Sequence, residues 1–183
     1  MIKFPNKKYQ IIYADPPWLE TGGGEITRGA QKHYNLMKTQ DIINLPIFNI
    51  SDSNCHLYLW VTNTFLPDGL KVMKNWGFNY KTTITWVKDR IGLGQYFRGQ
   101  TEHCLFGVKG MIPYRIIDNK RQQGVTYFFA PRTKHSAKPQ QMRNMILKVS
   151  GDLPRIELFA RKKETDLFGE NDLNGWDTWG NEA

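Results

Sequence analysis

Apolar positions along this chain follow two rhythms, and their alternation predicts an open α/β sheet. Residues 10–14 and 56–61 are dense apolar runs of strand length. Residues 81–87 alternate and are rich in β-branched side chains, the pattern of a strand with unequal faces. Residues 104–108, 126–130 and 155–160 predict further strands. Between them the period lengthens. Leu66, Leu70, Met73 and Trp76 recur at helical spacing, with Gly77 placed to stop the helix. Pro139 suits the first turn of a second helix, whose apolar face is Met142, Met145, Ile146 and Val149. Thr39, with Asp41 two residues on, is expected to cap a short helix towards Leu45. Strands alternating with helices form open sheets whose ligands sit at the carboxyl ends of the strands. Asp15, Lys138 and Arg161 fall near such ends or turns.

The intervals that break the pattern are informative. Residues 20–38 are polar and contain Gly22-Gly23-Gly24, while residues 90–101 hold three glycines and little that is apolar. Loops this long in a compact domain usually carry function or disorder. The first is a candidate lid, and both are candidate recognition surfaces. There is no repeat, no low-complexity tract and no linker, so the 183 residues are expected to form one domain, residues 1–183.

Composition narrows the function classes. No window has the length of a membrane span, and the opening residues do not form a signal peptide. Cys55 and Cys104 lie inside apolar runs and read as buried thiols rather than a disulfide framework. A cytoplasmic protein is the expectation. A net charge of +8 calls for a polyanionic partner, and the excess agrees with phosphate-backbone binding. Arg28, Lys32, Lys88, Arg90 and Arg98 are the candidate phosphate contacts. No Cys/His group has metal-ligand spacing, so no metal is expected.

The candidate chemistry lies at the end of the first strand, in Asp15-Pro16-Pro17-Trp18. Two prolines stiffen the backbone, remove two N–H donors and push Asp15 towards an extended conformation. The expected result is a rigid acceptor surface of carboxylate and carbonyl oxygens, with no donor beside them, next to a flat indole. Such a corner suits an exocyclic amine on an aromatic base. Asp15 could equally end the strand in an Asx turn, and Trp18 could equally be a core residue.

The tetrapeptide resembles the catalytic motif of the MT-A70 family of S-adenosylmethionine-dependent adenine-N6 methyltransferases. Further matches follow in family order: Leu57-Tyr58-Leu59-Trp60-Val61-Thr62, Trp86-Val87-Lys88, Glu102-His103-Cys104-Leu105-Phe106-Gly107-Val108-Lys109-Gly110, His135-Ser136-Ala137-Lys138-Pro139, Arg155-Ile156-Glu157-Leu158-Phe159-Ala160-Arg161 and Trp176-Asp177-Thr178-Trp179-Gly180-Asn181. They span nearly the whole chain.

The resemblance implies a single Rossmann-like methyltransferase domain with an open, mostly parallel sheet, helices on both faces and a permuted order in which the catalytic motif precedes the cofactor motifs. It implies transfer of a methyl group from S-adenosylmethionine, without a metal, to the N6 amine of adenine. Asp15 and the Pro16 carbonyl would accept the amine's hydrogens, Pro17 would stiffen the turn, and Trp18 would stack on the base. Tyr34 would close over the acceptor. Lys138 would pair with the methionine carboxylate or brace the acceptor loop, with Ser136 beside it, and Arg161 and Asn181 would contact ribose or methionine. Lys162-Lys163-Glu164 departs from the Pro-His-Asn of eukaryotic relatives, and Glu182 replaces a glutamine. That weakens the ribose assignment. Glu157 is expected to hold the fold, and neither His103 nor His135 is needed as a base. Compact chains of this kind resemble bacterial or bacteriophage versions, so DNA is the expected substrate ahead of RNA, acted on by a monomer or homodimer. A catalytically silent nucleic-acid-binding relative, and methylation of a different amine, are the alternatives.

Overall fold

The computed structural model describes residues 3–19, 36–92, 94, 96–112, 115–132, 137–160 and 175–180. Its main sheet contains β1 (Tyr9–Ala14), β2 (Ser51–Val61), β3 (Asn79–Lys88), β4 (Thr101–Lys109), β7 (Tyr127–Ala130), β8 (Arg155–Leu158) and β9 (Trp176–Trp179), in the order β7-β3-β4-β2-β1-β8-β9. A small hairpin, β5 (Ile116–Ile117) and β6 (Lys120–Arg121), stands apart from it. β1 runs parallel to both β2 and β8, β8 to β9, and β3 to β7. Only β4 opposes its neighbours, because it returns from β3 as a hairpin. The expected mostly parallel sheet is therefore present.

Period-two alternation divides the core between two faces. Ile12 and Ala14 of β1 join Leu57 and Leu59 of β2 on one face, under Val72 and Met73 of helix α3 (Leu66–Asn75). Ile11 and Tyr13 join Tyr58, Trp60 and Trp86 on the other, under Met142 and Ile146 of helix α4 (Gln140–Ser150). The helices thus lie on both faces, as expected. Strands buried on both sides need no polar alternation, which is why β1 and β2 read as continuous apolar runs.

α3 begins with a proline at its first turn and ends before Gly77, whose φ of 83° is the left-handed conformation that favours glycine. Its buried side is Gly69, Val72 and Met73, whereas Leu70 is exposed. The apolar face read from Leu70 is corrected here: the helix approaches through a glycine. A Cβ on Gly69 would overlap Val61 and come within 2.9 Å of Leu105. Thr39 is not a cap but the first residue of α1 (Thr39–Ile43), with Lys38 at the cap position. The short helix α2 (Ile47–Ile50), the β5–β6 hairpin and strand β9 carried no legible pattern.

From β1 the chain builds β2 and the strands beyond it on one side. α4 then returns it to β8 on the other side of β1. The carboxyl ends of β1 and β8 therefore flank a topological switch point, the usual ligand crevice of such sheets. Asp15 follows β1 there, and Phe159 follows β8.

Candidate functional site

Asp15 leaves the sheet with its amide N–H still directed at the Leu158 carbonyl, 3.4 Å away. The next residues are more tightly tied than expected. The Trp18 N–H donates to the Pro16 carbonyl at 2.9 Å, and the Met37 N–H donates to the Pro17 carbonyl at 2.8 Å. The expectation that both carbonyls stand without donors is corrected: Pro17 is consumed in a bridge between the turn and Met37. Pro16 is folded into a tight turn but keeps a second lone pair.

Trp18 is also corrected. Its residue is only 9% exposed, and it belongs to the core. Its ring stacks on Phe65 with centroids 5.3 Å apart, and its indole N–H donates to the Trp60 carbonyl at 3.0 Å. It anchors the turn from below rather than offering a platform.

The carboxylate of Asp15 ends a chain of four alternating charges. Lys138, just before α4, donates to Asp15 Oδ2 at 2.8 Å and lies 3.3 Å from Glu102 Oε2 on β4. Lys88, the last residue of β3, donates to Glu102 Oε1 at 2.5 Å. The Lys138 side chain is 9% exposed, against 24% for Asp15. Burial by itself disfavours the Lys138 ammonium, but the facing carboxylates of Asp15 and Glu102 outweigh it and hold its pKa above the ordinary lysine value. Burial likewise works against the Glu102 carboxylate, and Lys138 and Lys88 overcome it, lowering its pKa. Buried charges survive only in such closed company.

Packed rings fix the chain in place. Lys138 Nζ lies 5.4 Å from the centre of the Trp60 ring, and Lys88 Nζ 4.9 Å from that of Trp86. The two indoles meet edge to face, with N–H groups donating to the Tyr13 hydroxyl at 2.7 Å and the Ala130 carbonyl at 2.8 Å. Beneath them Arg143 of α4 grips Glu157 of β8 through two hydrogen bonds, of 2.9 and 2.7 Å. Glu157 thus serves the fold. His103 is fixed between Thr85 and Asn63, at 3.1 and 2.6 Å.

Of the two roles weighed for Lys138, bracing is the one the geometry displays, since its ammonium already serves two carboxylates. Lys88 is withdrawn from the phosphate contacts because Glu102 holds it inside. Arg98 remains exposed, with its Nε donating to the Gly92 carbonyl at 2.9 Å within the β3–β4 loop. Tyr34, Ser136, Arg161 and Asn181 lie outside the described residues, as do Arg28, Lys32, His135 and residues 20–35 of the expected lid. Glu102 is the residue that sequence reasoning passed over. A signal existed: it occupies the same strand face as Cys104 and Phe106, so an ionisable side chain stands where β4 points inward.

An acceptor-rich corner whose carboxylate is held through one oxygen by Lys138 suits positively charged or amino-bearing ligands. On that chemistry the described residues fit both a sulfonium cofactor and an aromatic amine. Among the described residues, no group of His, Cys, Asp and Glu is placed to hold a metal ion, and no helix is long and apolar enough to cross a membrane.

Comparison with known proteins agrees with this reading. Residues 9–182 match the family model described as MT-A70. The chain is 33% identical to the type II methyltransferase M.MunI of Mycoplasma, covering 97% of this chain and 79% of that protein. It is 29% identical to the human N(6)-adenosine-methyltransferase catalytic subunit METTL3, covering 96% of this chain but only 28% of the relative. A 57% stretch is 34% identical to the Arabidopsis N6-adenosine-methyltransferase non-catalytic subunit MTB, 15% of whose length it covers.

Proposed function

The chain belongs to the MT-A70 family, and on that premise we propose that it transfers a methyl group from S-adenosylmethionine to the N6 amine of adenine in DNA. The observation that carries this is the charge chain ending on Asp15. It commits Oδ2 to Lys138, while no hydrogen bond engages Oδ1 among the described residues. The DNA reading is supported by likeness over most of the length of a type II methyltransferase.

An adenine amine is a weak nucleophile because its lone pair is delocalised into the ring. Asp15 Oδ1 and the spare lone pair of the Pro16 carbonyl accept its two hydrogens, favouring a tetrahedral nitrogen with its lone pair released. As the N–C bond forms, positive charge grows on nitrogen, and the fixed carboxylate stabilises it without reorganising. Lys138 holds that carboxylate at one angle, and Glu102 and Lys88 hold Lys138. The excess proton leaves to water, so no histidine base is required. When bound, S-adenosylmethionine would supply the methyl group from its sulfonium, with the bonding electron pair left on sulfur. Ser136, Arg161 and Asn181 are the residues assigned to hold the cofactor, while Asp15 aims the amine at the methyl group and Lys138 braces Asp15. In duplex DNA the target adenine must leave the stack to reach this corner.

The test is nucleoside mass spectrometry of DNA and RNA from cells expressing the protein or its Asp15→Ala variant. N6-methyladenine in DNA that disappears with the variant is expected. Methylation confined to RNA would reassign the substrate. No methylation of either would favour the second reading, a silent binding relative, which the partial likeness to a non-catalytic subunit motivates.

A further inference from the structure

Strand β7 closes one edge of the sheet, pairing only with β3 among the described strands, and it is built unlike the others. Its middle residue, Phe128, packs into the core beneath α4. Its flanking residues do the reverse: Tyr127 is 58% and Phe129 67% exposed, on the opposite sheet face. The two rings meet edge to face with centroids 5.8 Å apart. Their register partners on β3 are Thr85 and Val87, so the aromatics stand beside a partly open strip of small side chains. Large rings left in water on a strand that could carry polar residues there have a cost, which points to an occupant.

The position identifies the occupant's chemistry. Phe129 and its partner Val87 each lie one residue before the paired Ala130 and Lys88, at the carboxyl end of the sheet. Lys88 begins the charge chain that ends on Asp15. Arg90 and Arg98 are exposed in the loop after β3, and Arg132 is exposed just after β7, its N–H anchored on Asp89 at 2.9 Å. Flat rings beside exposed arginines are the composition of a surface for unpaired nucleotides, in which bases stack and phosphates are neutralised.

A second copy of this chain fits less well. Antiparallel pairing of two β7 edges about a two-fold axis would bring together two copies of a chain already at +8, like charge against like.

From this placement we infer that Tyr127 and Phe129 form a stacking platform for unpaired nucleotides flanking the target adenine. The inference rests on the nucleic-acid reading above and adds the surface that holds the substrate strand. It is tested by fluorescence anisotropy with a labelled short single-stranded oligodeoxynucleotide, using wild type, Phe129→Ala, Phe129→Leu, Phe129→Trp and Tyr127→Ala. Both side chains are exposed, so the variants should retain the fold, checked by circular dichroism. Each alanine variant should weaken binding roughly tenfold. In the alanine variants KM should rise with kcat little changed; leucine should not restore binding and tryptophan should. Equal affinity across the series would overturn the platform while leaving the methyltransferase reading intact. Leucine binding as well as phenylalanine would also overturn it, since stacking would then not be the interaction. A wild-type dimer, shown by light scattering to become monomeric in Phe129→Ala with unchanged oligonucleotide affinity, would assign the surface to self-association. A wild type that binds no nucleic acid at all would remove both readings together.

Discussion

Asp15 shows how much of a site depends on residues that never touch the substrate. Its carboxylate is aimed by Lys138, Lys138 is held by Glu102, and Glu102 by Lys88, with distances of 2.8, 3.3 and 2.5 Å. Removing Asp15 and removing its brace should therefore differ in kind. Asp15→Ala should abolish turnover and leave cofactor affinity near wild type, measured by isothermal titration. Lys138→Met leaves the Asp15 carboxylate without its cation and Glu102 with Lys88 alone, and breaking such a buried network costs on the order of 3–5 kcal/mol. Both turnover and melting temperature should fall. Wild-type turnover in either variant would remove Asp15 from the chemistry or Lys138 from its support. At this scale the sequence was legible for the places of Asp15 after β1 and Lys138 before α4, but misleading for the burial of Trp18. An indole after a Pro-Pro turn can face in or out, and only the presence of Phe65 and the Trp60 carbonyl decides which.

Among the elements, α3 carries the least expected packing. Its closest approach to the sheet is through Gly69, lying against Val61 and Leu105. Alanine is about 1 kcal/mol better than glycine in a helix interior, so propensity alone says that Gly69→Ala should stabilise. Overpacking a tight contact costs roughly 1–3 kcal/mol, and Val61 is β-branched with little rotamer freedom to yield. The larger effect should win, giving a lower melting temperature by thermal unfolding; a rise would mean that the contact relaxes cheaply. The sequence signalled α3 by its period, and Leu66, Met73 and Trp76 do pack on the core, but it misplaced Leu70 and missed Gly69, because a glycine has no hydropathy to count. β9 and α2 escaped notice because neither Trp176–Trp179 nor Ile47–Ile50 forms the continuous apolar run that marked the equally short β7.

For the whole molecule, stability responds to pH through buried groups at both ends of the sheet. His56 of β2 donates to or accepts from Ser150, the last residue of α4, at 2.8 Å, and Tyr58 reaches the same hydroxyl at 2.7 Å. Burial lowers the His56 pKa to about 4. Above its ordinary value near 6.5 the ring is neutral in both folded and unfolded chains. As pH falls below 6.5 the unfolded chain takes the proton first, so stability falls until the folded pKa is reached, by about 3 kcal/mol in all. Glu102, whose pKa is lowered, adds to the same acid limb below its ordinary value near 4.5. Lys138, whose pKa is raised, acts at the alkaline end: its contribution is intact below about 10.5 and is lost as pH rises through the folded value. Melting temperature should therefore fall from pH 7 towards pH 4, and His56→Asn should flatten that decline. An unchanged slope in the variant would place the acid sensitivity elsewhere.

The linear chain determined most of the strands and the two longer helices, that the sheet is open α/β, and that a carboxylate followed by two prolines closes its first strand. Those features are local: they depend on period, on proline's missing N–H and on the side chains immediately before and after. Folding decided which charges meet. Lys88, Glu102, Lys138 and Asp15 are scattered over more than a hundred positions, and what joins them is the strand order β3-β4-β2-β1 together with the return through α4. Desolvation then makes each ammonium require its carboxylates, a demand that no spacing along the chain encodes.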